Sequence, residues 1–513
     1  MAALEQQLFA SGLPVEALME KAALAVAERI RQQWCAHLNR HGAVVLVGPG
    51  HNGGDGLVIA RELHLAGITV AIWSPFERHK PLTESHLRHG LWLGIPRLEE
   101  PPEPGGKALW IDALFGIGQS RAPGPAIETL LAERQHQRPH TLVAVDGPTG
   151  LCSDTGHLLG QNAACAHTTY AIGLLKTGLV QDPALAWVGR LERIDLGLPA
   201  SLLRQLPREQ PLGLHPSDVA GLPPLALDPA AGKYGRGRLL VMAGSARYRG
   251  AAALALLGAD ASGCGSLRAA LPEAIADALW RWLPHAVLQQ SLSSDGEGNL
   301  QLNALGEADL ERLDAVLLGP GIGCSASQRD GAERATWRLL QTFPGLLVLD
   351  ADGLNRISAD WLAERQGPTW ITPHAGEFAR LFPALADAPP LEAASQAAHQ
   401  SGAAVLLKGA HTVIAAPDGR RWQLLASAPE AARTGLGDVL AGFAAGRGAM
   451  AMASGAGADG CWLAAAALAH ANAGLALTNQ GAMPSPERVA DCLRSTNSPT
   501  TSLQEMKRNA TFA

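Results

Sequence analysis

The run AVVLV (43–47) passes directly into GPGHNGGDG (48–56) and then into LVIARELHLAG (57–67), whose apolar residues recur at helical spacing. No other feature constrains the fold as strongly. A strand without a polar face is covered on both sides, and a glycine loop leading from it into a helix is the turn of a parallel sheet layered with helices. An amphipathic helix, EALMEKAALAVAERIRQQW (16–34), precedes this unit, and ITVAIW (68–73), ALWIDALF (108–115) and TLVAVD (141–146) follow as strands. The Pro-rich text of about 200–232 has no sustained period and reads as a linker. A second series then begins at RLLVMAG (238–244) and continues through AVLLG (315–319), LLVLD (346–350), TWIT (369–372) and AVLLKG (404–409). A chain of 513 residues is too long for one core. We therefore expect a Rossmann-like three-layer α/β domain over 1–205, a linker over 206–232, a second α/β domain over 233–494 and a frayed tail over 495–513.

Composition excludes some functions. A net charge of −6 gives no footprint for nucleic acid, so bound phosphates must be held by local devices. The seven cysteines are scattered and form no CxxC pair, as expected of small buried residues in a reducing compartment. The start MAALEQQLFA carries Glu5 and lacks a basic region followed by an apolar run, unlike a signal peptide. The uncharged stretch 460–486 is rich in Ala and interrupted by His470, Asn472, Asn479 and Gln480, so a buried helix and its loop are expected, not a membrane span. The expected protein is soluble and cytoplasmic.

In the first half, Gly48, Gly50 and Gly53 form G-x-G-x-x-G between a strand and a helix, where backbone N–H groups and the helix dipole suit a phosphate. A dinucleotide dehydrogenase also needs an acid closing the second strand. Here ITVAIW runs into Ser74, and the first acid is Glu77, so the loop does not read as a standard NAD-dependent dehydrogenase. Asp112 and Asp146 fall at strand ends, where open α/β sheets bind ligands. Asp55 reads equally as a helix cap or a catalytic group, and Lys176 as a solvated loop lysine.

LMEKAALAVA, GPGHNGGDGLVIAREL, DALFGIG, VDGPTG and AIGLLKTG occur in this order over about residues 1–200, and the region resembles the NAD(P)H-hydrate epimerase family. The resemblance implies a substrate loop of His51, Asn52, Gly53, Gly54 and Asp55. It implies a second loop of Gly116, Ile117, Gly118, Gln119, Ser120, Arg121 and Ala122. It further implies that Asp146 contacts substrate and that Asn52, Asp112 and Thr149 bind potassium; His51 and Thr149 stand where the family usually has Asn and Ser. Chemically, Asp146 is the candidate acid–base for opening and reclosing a carbinolamine ring.

In the second half, ARTGLGDVLAGFAAG (432–446) places Gly435, Leu436 and Gly437 at a helix start, with Asp438 in its first turn. Free N–H groups there stabilise a transferring phosphoryl group, and the aspartate can accept the proton of an attacking hydroxyl. No Walker A pattern occurs. With VLDADGLN (348–355), ITPHAGEF (371–378), KGAHTVIA (408–415) and GPGIG (319–323), residues of about 230–492 resemble the ribokinase-like superfamily and, within it, the NAD(P)H-hydrate dehydratases. That resemblance implies hydrate contacts at Ala251, Gly323, His374 and Asp438, and nucleotide contacts at Lys408, Gly409, Ala410, His411, Thr412 and Gly437. Arg433-Thr434 replace the family's usual Thr-Gly, and His374 also reads as a helix cap.

The expected function is thus epimerisation of NADH-hydrate and NADPH-hydrate in the first domain and ADP-dependent dehydration in the second. K⁺ is expected in the epimerase domain and Mg²⁺ in the dehydratase domain. ADP is the expected co-substrate, and further copies of the chain are the expected partners, with neither nucleic acid nor membrane. The alternative is a ribokinase-like vitamin-precursor kinase fused to a non-catalytic binding module. Asn52, Asp112 and Asp146 argue against the silent module, because a pure binder has no need of acids in its crevice.

Overall fold

The computed structural model describes residues 2–221, 230–302, 305–324 and 331–496. They divide into two compact units, Met1–Pro207 and Arg208–Ala513. In the first, seven strands form one sheet: β1 (Ala43–Val47), β2 (Val70–Trp73), β3 (Arg97–Leu98), β4 (Leu109–Ala113), β5 (Leu142–Val145), β6 (Thr168–Ile172) and β7 (Arg190–Ile194). Their order is β3-β2-β1-β4-β5-β6-β7, and every pairing is parallel. All five residues of β4, Asp112 among them, and all four of the apolar β5 are buried, as strands covered on both faces require.

The longer helices of this unit are α1 (Ala2–Ala10), α2 (Val15–His41), α3 (His51–Leu65), α4 (Pro81–Trp92) and α5 (Pro125–Gln137). Leu18, Ala22 and Val26 of α2 pack with Val58 of α3 on Val45, Ile111 and Val143. On the opposite face, Ile127 and Leu131 of α5 pack on Leu46 and Trp110. Strand order reverses between β1 and β4, which opens a crevice at their carboxyl ends.

The glycine-rich segment departs from expectation. It is not a loop up to residue 56: α3 begins at His51, with Gly50 as its N-cap. Side chains at Gly53 and Gly56 would run into the Gly48 carbonyl and the Ala113 side chain. These glycines therefore seat the helix against the sheet, although each costs about 1 kcal/mol of helix propensity relative to Ala. Asp55 lies inside the helix and does not cap it.

The second unit carries β8 (Leu212–Leu214), β9 (Arg238–Met242), β10 (Ser266–Pro272), β11 (Val287–Leu292), β12 (Ala315–Leu318), β13 (Leu346–Leu349), β14 (Thr369–Ile371), β15 (Ala404–Leu407), β16 (Val413–Ala415) and β17 (Arg421–Leu424). The order is β11-β10-β9-β12-β13-β14-β15-β16-β17-β8, with β16 antiparallel to both neighbours. The crevice here lies between β9 and β12. Helices that matter below are α6 (Arg249–Ala261), α7 (Ala375–Leu381), α8 (Leu436–Ala453) and α9 (Gly460–Asn479). α6 and α8 meet backbone to backbone: a side chain at Gly258 would strike the Val439 carbonyl, and one at Gly442 the Ala255 carbonyl. The uncharged stretch forms α9, which is long and apolar enough to cross a membrane; Trp462, Leu463 and Leu468 are instead buried in the unit's core.

Part of the expected linker is structural. Leu212–Leu214 pairs in parallel with Trp422–Leu424 and covers an edge that β17 would otherwise expose. Residues 222–229 of that segment, and 497–513 of the expected tail, lie outside the described residues, while a last helix runs from Pro486 through Thr496.

Candidate active sites

In the first unit the β1/β4 crevice holds a cavity of about 430 Å³. The backbone N–H groups opening α3 face it without a side-chain cap. The segments after β1, β4 and β5 form its walls and floor, and α1 adds Glu5 and Phe9. Gln119 joins two of these segments: its amide donates to Phe115 O and Pro148 O at 3.3 Å, and its oxygen accepts from Gly150 N at 2.6 Å.

Asp146 follows β5 with φ of 67°, a conformation non-glycine residues rarely adopt. Its carboxylate accepts from Ile172 N at 3.1 Å and forms an ion pair with Lys176. The Lys176 ammonium also donates to Ile172 O at 2.8 Å. Lys176 is 9% exposed, so the solvated-lysine reading is overturned. The physical reason is that the loop after β6 folds back over the crevice, where Asp146 offers a charge partner.

Asp112 is fully buried below this cavity. It accepts from Thr149 N and Thr149 Oγ1 at 2.8 Å and from Leu114 N at 3.2 Å, all neutral donors. Burial pushes its carboxyl up to about 6, with the Thr149 and Leu114 hydrogen bonds working the other way. Both polar atoms of the Asn52 amide are buried without a hydrogen-bond partner. An orphaned amide, and a buried carboxylate whose donors are all neutral, are donor types that suit a hard, singly charged cation.

The second site gathers at the start of α8. Gly435 caps it with φ of 92°, and Asp438 lies in its first turn. Burial, Asp350 and Asp352 push the Asp438 carboxyl up to about 7, while Lys408 opposes them. Lys408 pairs with Asp350 at 2.7 Å, and Thr372 Oγ1 donates to the same oxygen at 2.8 Å. Despite its burial, the Lys408 ammonium is raised by Asp350, with Glu377 and Asp438 adding to the effect. Asp352 accepts from Gly323 N at 2.8 Å, and Ala351 between the two aspartates has φ of 48°. His374 caps α7, its Nδ1 accepting from Gly376 N at 3.0 Å and Glu377 N at 3.3 Å, while the Glu377 carboxylate accepts from His374 N at 2.9 Å.

Two family models match the chain. One, described as YjeF-related protein N-terminus, covers residues 15–178, and the other, described as NAD(P)H-hydrate dehydratase, covers 239–494. A bifunctional NAD(P)H-hydrate repair enzyme of Gloeobacter violaceus is 45% identical over 450 residues, which is 86% of each chain. The chain belongs to this bifunctional NAD(P)H-hydrate repair family. The Synechocystis member is 40% identical over 87% of this chain and 84% of its own. Among solved structures, an ADP/ATP-dependent NAD(P)H-hydrate dehydratase from Bacillus subtilis is 25% identical over 55% of this chain and 96% of that chain, with a TM-score of 0.45.

The epimerase-like cavity brings together His51, Asn52, Asp55, Gly116, Ile117, Gly118, Gln119 and Asp146. It leaves out Gly53 and Gly54, which are buried in α3, and Ser120, Arg121 and Ala122, which are exposed outside the lining. Asp112 and Thr149 lie beneath the lining and are bonded to each other. In the dehydratase-like unit, Gly437, Asp438 and Lys408 converge, with the Lys408 ammonium 3.3 Å from where a Gly437 side chain would start. Ala251 packs beside Gly321, and Gly323 is tied to Asp352. Gly409 and Ala410 are exposed, His411 is buried and Thr412 is half-buried.

Sequence reasoning missed Glu5, Phe9, Asp350, Asp352 and Glu377. Asp350 carried the signal used for Asp112 and Asp146, an acid at the end of an apolar strand, while Asp352 lies in the helical turn that follows. Glu5 carried none, because only the fold brings α1 to the crevice.

Proposed function

We propose that the N-terminal unit interconverts the R and S hydrates of NADH and NADPH, and that the C-terminal unit dehydrates the S form with ADP. The observation that carries the reading is the place of Asp438 in the first turn of α8, where Gly435 leaves the backbone N–H groups without a side-chain cap and the Lys408 ammonium lies against Gly437. Asp438 takes the proton of the C6 hydroxyl as its oxygen attacks the terminal phosphorus of ADP, and AMP leaves. Lys408 and the N–H groups after Gly435 hold the phosphate charge. Phosphate then departs from C6 as the ring nitrogen supplies its electron pair, and loss of a C5 proton restores the dihydronicotinamide.

In the other unit Asp146 is the base that initiates ring opening, and the N–H groups of α3 receive a phosphate of the dinucleotide. K⁺ would be held by Asn52, Asp112 and Thr149, where it supplies a fixed positive charge beside the substrate. Among the described residues no three His, Cys, Asp or Glu side chains are grouped to hold a metal, so Mg²⁺ would arrive on the nucleotide phosphates. A kinase with a silent partner module is disfavoured by the Asp146–Lys176 pair, which a passive binder does not require.

The test is recovery of reduced-nicotinamide absorbance when the chain meets purified S or R hydrate with ADP, ATP or no nucleotide. Recovery from both epimers with ADP is expected, and no recovery from either would overturn the reading.

A further inference from the structure

The cavity of the N-terminal unit holds more acid than one proton-moving carboxylate requires. Asp146, Asp55 and Glu5 line it together, and the buried cation among them is Lys176. Two further bases in the lining, His51 and Lys80, occupy exposed positions. The three carboxylates come from separate elements: Asp146 from the end of β5, Asp55 from α3 and Glu5 from α1. Lys176 is already paired with Asp146, so Asp55 and Glu5 face one another's charge without a buried counter-ion of their own. Like charges gathered in a partly dry space favour a proton on one of them. Burial first, then Asp146 and Glu5, push the Asp55 carboxyl well above the usual range, while Lys176 pulls the other way. Burial and Asp146 raise Glu5 as well, with Lys176 and the chain's amino terminus pulling the other way.

We propose that Asp55 is the second catalytic residue of this site, the acid that protonates the ring nitrogen, and that Glu5 is the positioning residue that keeps it loaded. The inference rests on the epimerase reading. As Asp146 removes the C6 hydroxyl proton, the C6–O bond becomes a carbonyl and the N1–C6 bond breaks. The released electron pair on N1 takes the proton of Asp55. Rotation about C5–C6 then presents the other carbonyl face. N1 attacks it and returns its proton to Asp55, and Asp146 returns the other proton to oxygen. Every bond and proton is restored, and no co-reactant is consumed. Glu5 lies outside the residues matched by the N-terminal family model, so α1 is active-site structure beyond that match.

The experiment follows conversion of R hydrate to S hydrate by chromatography, with the full chain and no nucleotide, from acid to alkaline pH. Asp55→Asn should lower kcat by about 10²-fold or more with little change in KM, because it removes a transferable proton and keeps the shape. Glu5→Gln should keep turnover at low pH and move the alkaline limb of kcat to lower pH, since losing a facing negative charge lets Asp55 ionise earlier. Glu5→Asp should restore the limb. An Asp55→Asn variant within a few-fold of wild type, or a Glu5→Gln profile superimposed on wild type, overturns the proposal. If Asp55→Asn does not fold by circular dichroism, the Glu5→Gln profile decides. A wild-type chain that leaves R hydrate unchanged would sink the epimerase reading itself, an outcome distinct from an active wild type with an indifferent Asp55.

Discussion

Burial first, and then Asp350, raise the Asp438 carboxyl to about 7 against the pull of Lys408, and that balance is open to measurement. A base works only when ionised, so the ADP-dependent step should rise with pH through about 7 and level off above it. Asp350→Asn removes the largest facing charge that raises Asp438 and should move that acid limb to lower pH. Asp438→Asn should lower turnover by about 10²-fold or more while nucleotide still binds, as read by calorimetry with ADP. At the other site, Asp112 accepts three hydrogen bonds, so Asp112→Ala should cost about 2–3 kcal/mol in thermal unfolding. It should also weaken any potassium dependence of epimerisation relative to a sodium control, leaving dehydration of S hydrate intact.

At the scale of elements, α3 shows how far the sequence could be read and where it stopped. The strand before it, the crevice it faces and the acids at the neighbouring strand ends were all legible, because apolar runs and strand-end charges are local signals. The true start of the helix was not, because three glycines argue for a loop by propensity and only packing against Gly48 and Ala113 reverses that. Lys176 and Glu5 were hidden for a related reason: their roles depend on partners far away in the chain. Gly56→Ala tests the packing account. Ala is the better helix former, yet its methyl meets Ala113, and the variant should lose about 1–3 kcal/mol in thermal unfolding. A gain in stability would mean that the glycine is there for another reason.

For the molecule as a whole, the division at Pro207 and Arg208 makes a prediction about fragments. A fragment ending at Pro207 should interconvert the hydrates without nucleotide, and one beginning at Arg208 should consume only S hydrate with ADP. A fragment beginning at Lys233 should be less soluble and less stable, because it lacks β8 and leaves β17 as a bare edge. Equal behaviour of the two longer fragments in size-exclusion chromatography and thermal unfolding would show that β8 is dispensable. The sequence pattern placed this boundary in a Pro-rich stretch, but a three-residue strand is too short to carry a period, so the pairing within that stretch was invisible.

The glycine contact between α6 and α8 bears on how such an enzyme can change over generations. Gly258 and Gly442 each touch the opposing backbone, so neither accepts a larger side chain without parting the two helices. The helix that carries Asp438 is therefore fixed in distance from its neighbour, and a side chain that parted the two helices would move the base and weaken the packing together. Variation in this unit is left to exposed positions free of that contact, such as Arg247 and Tyr248. Libraries aimed at altering this unit should leave both glycines untouched.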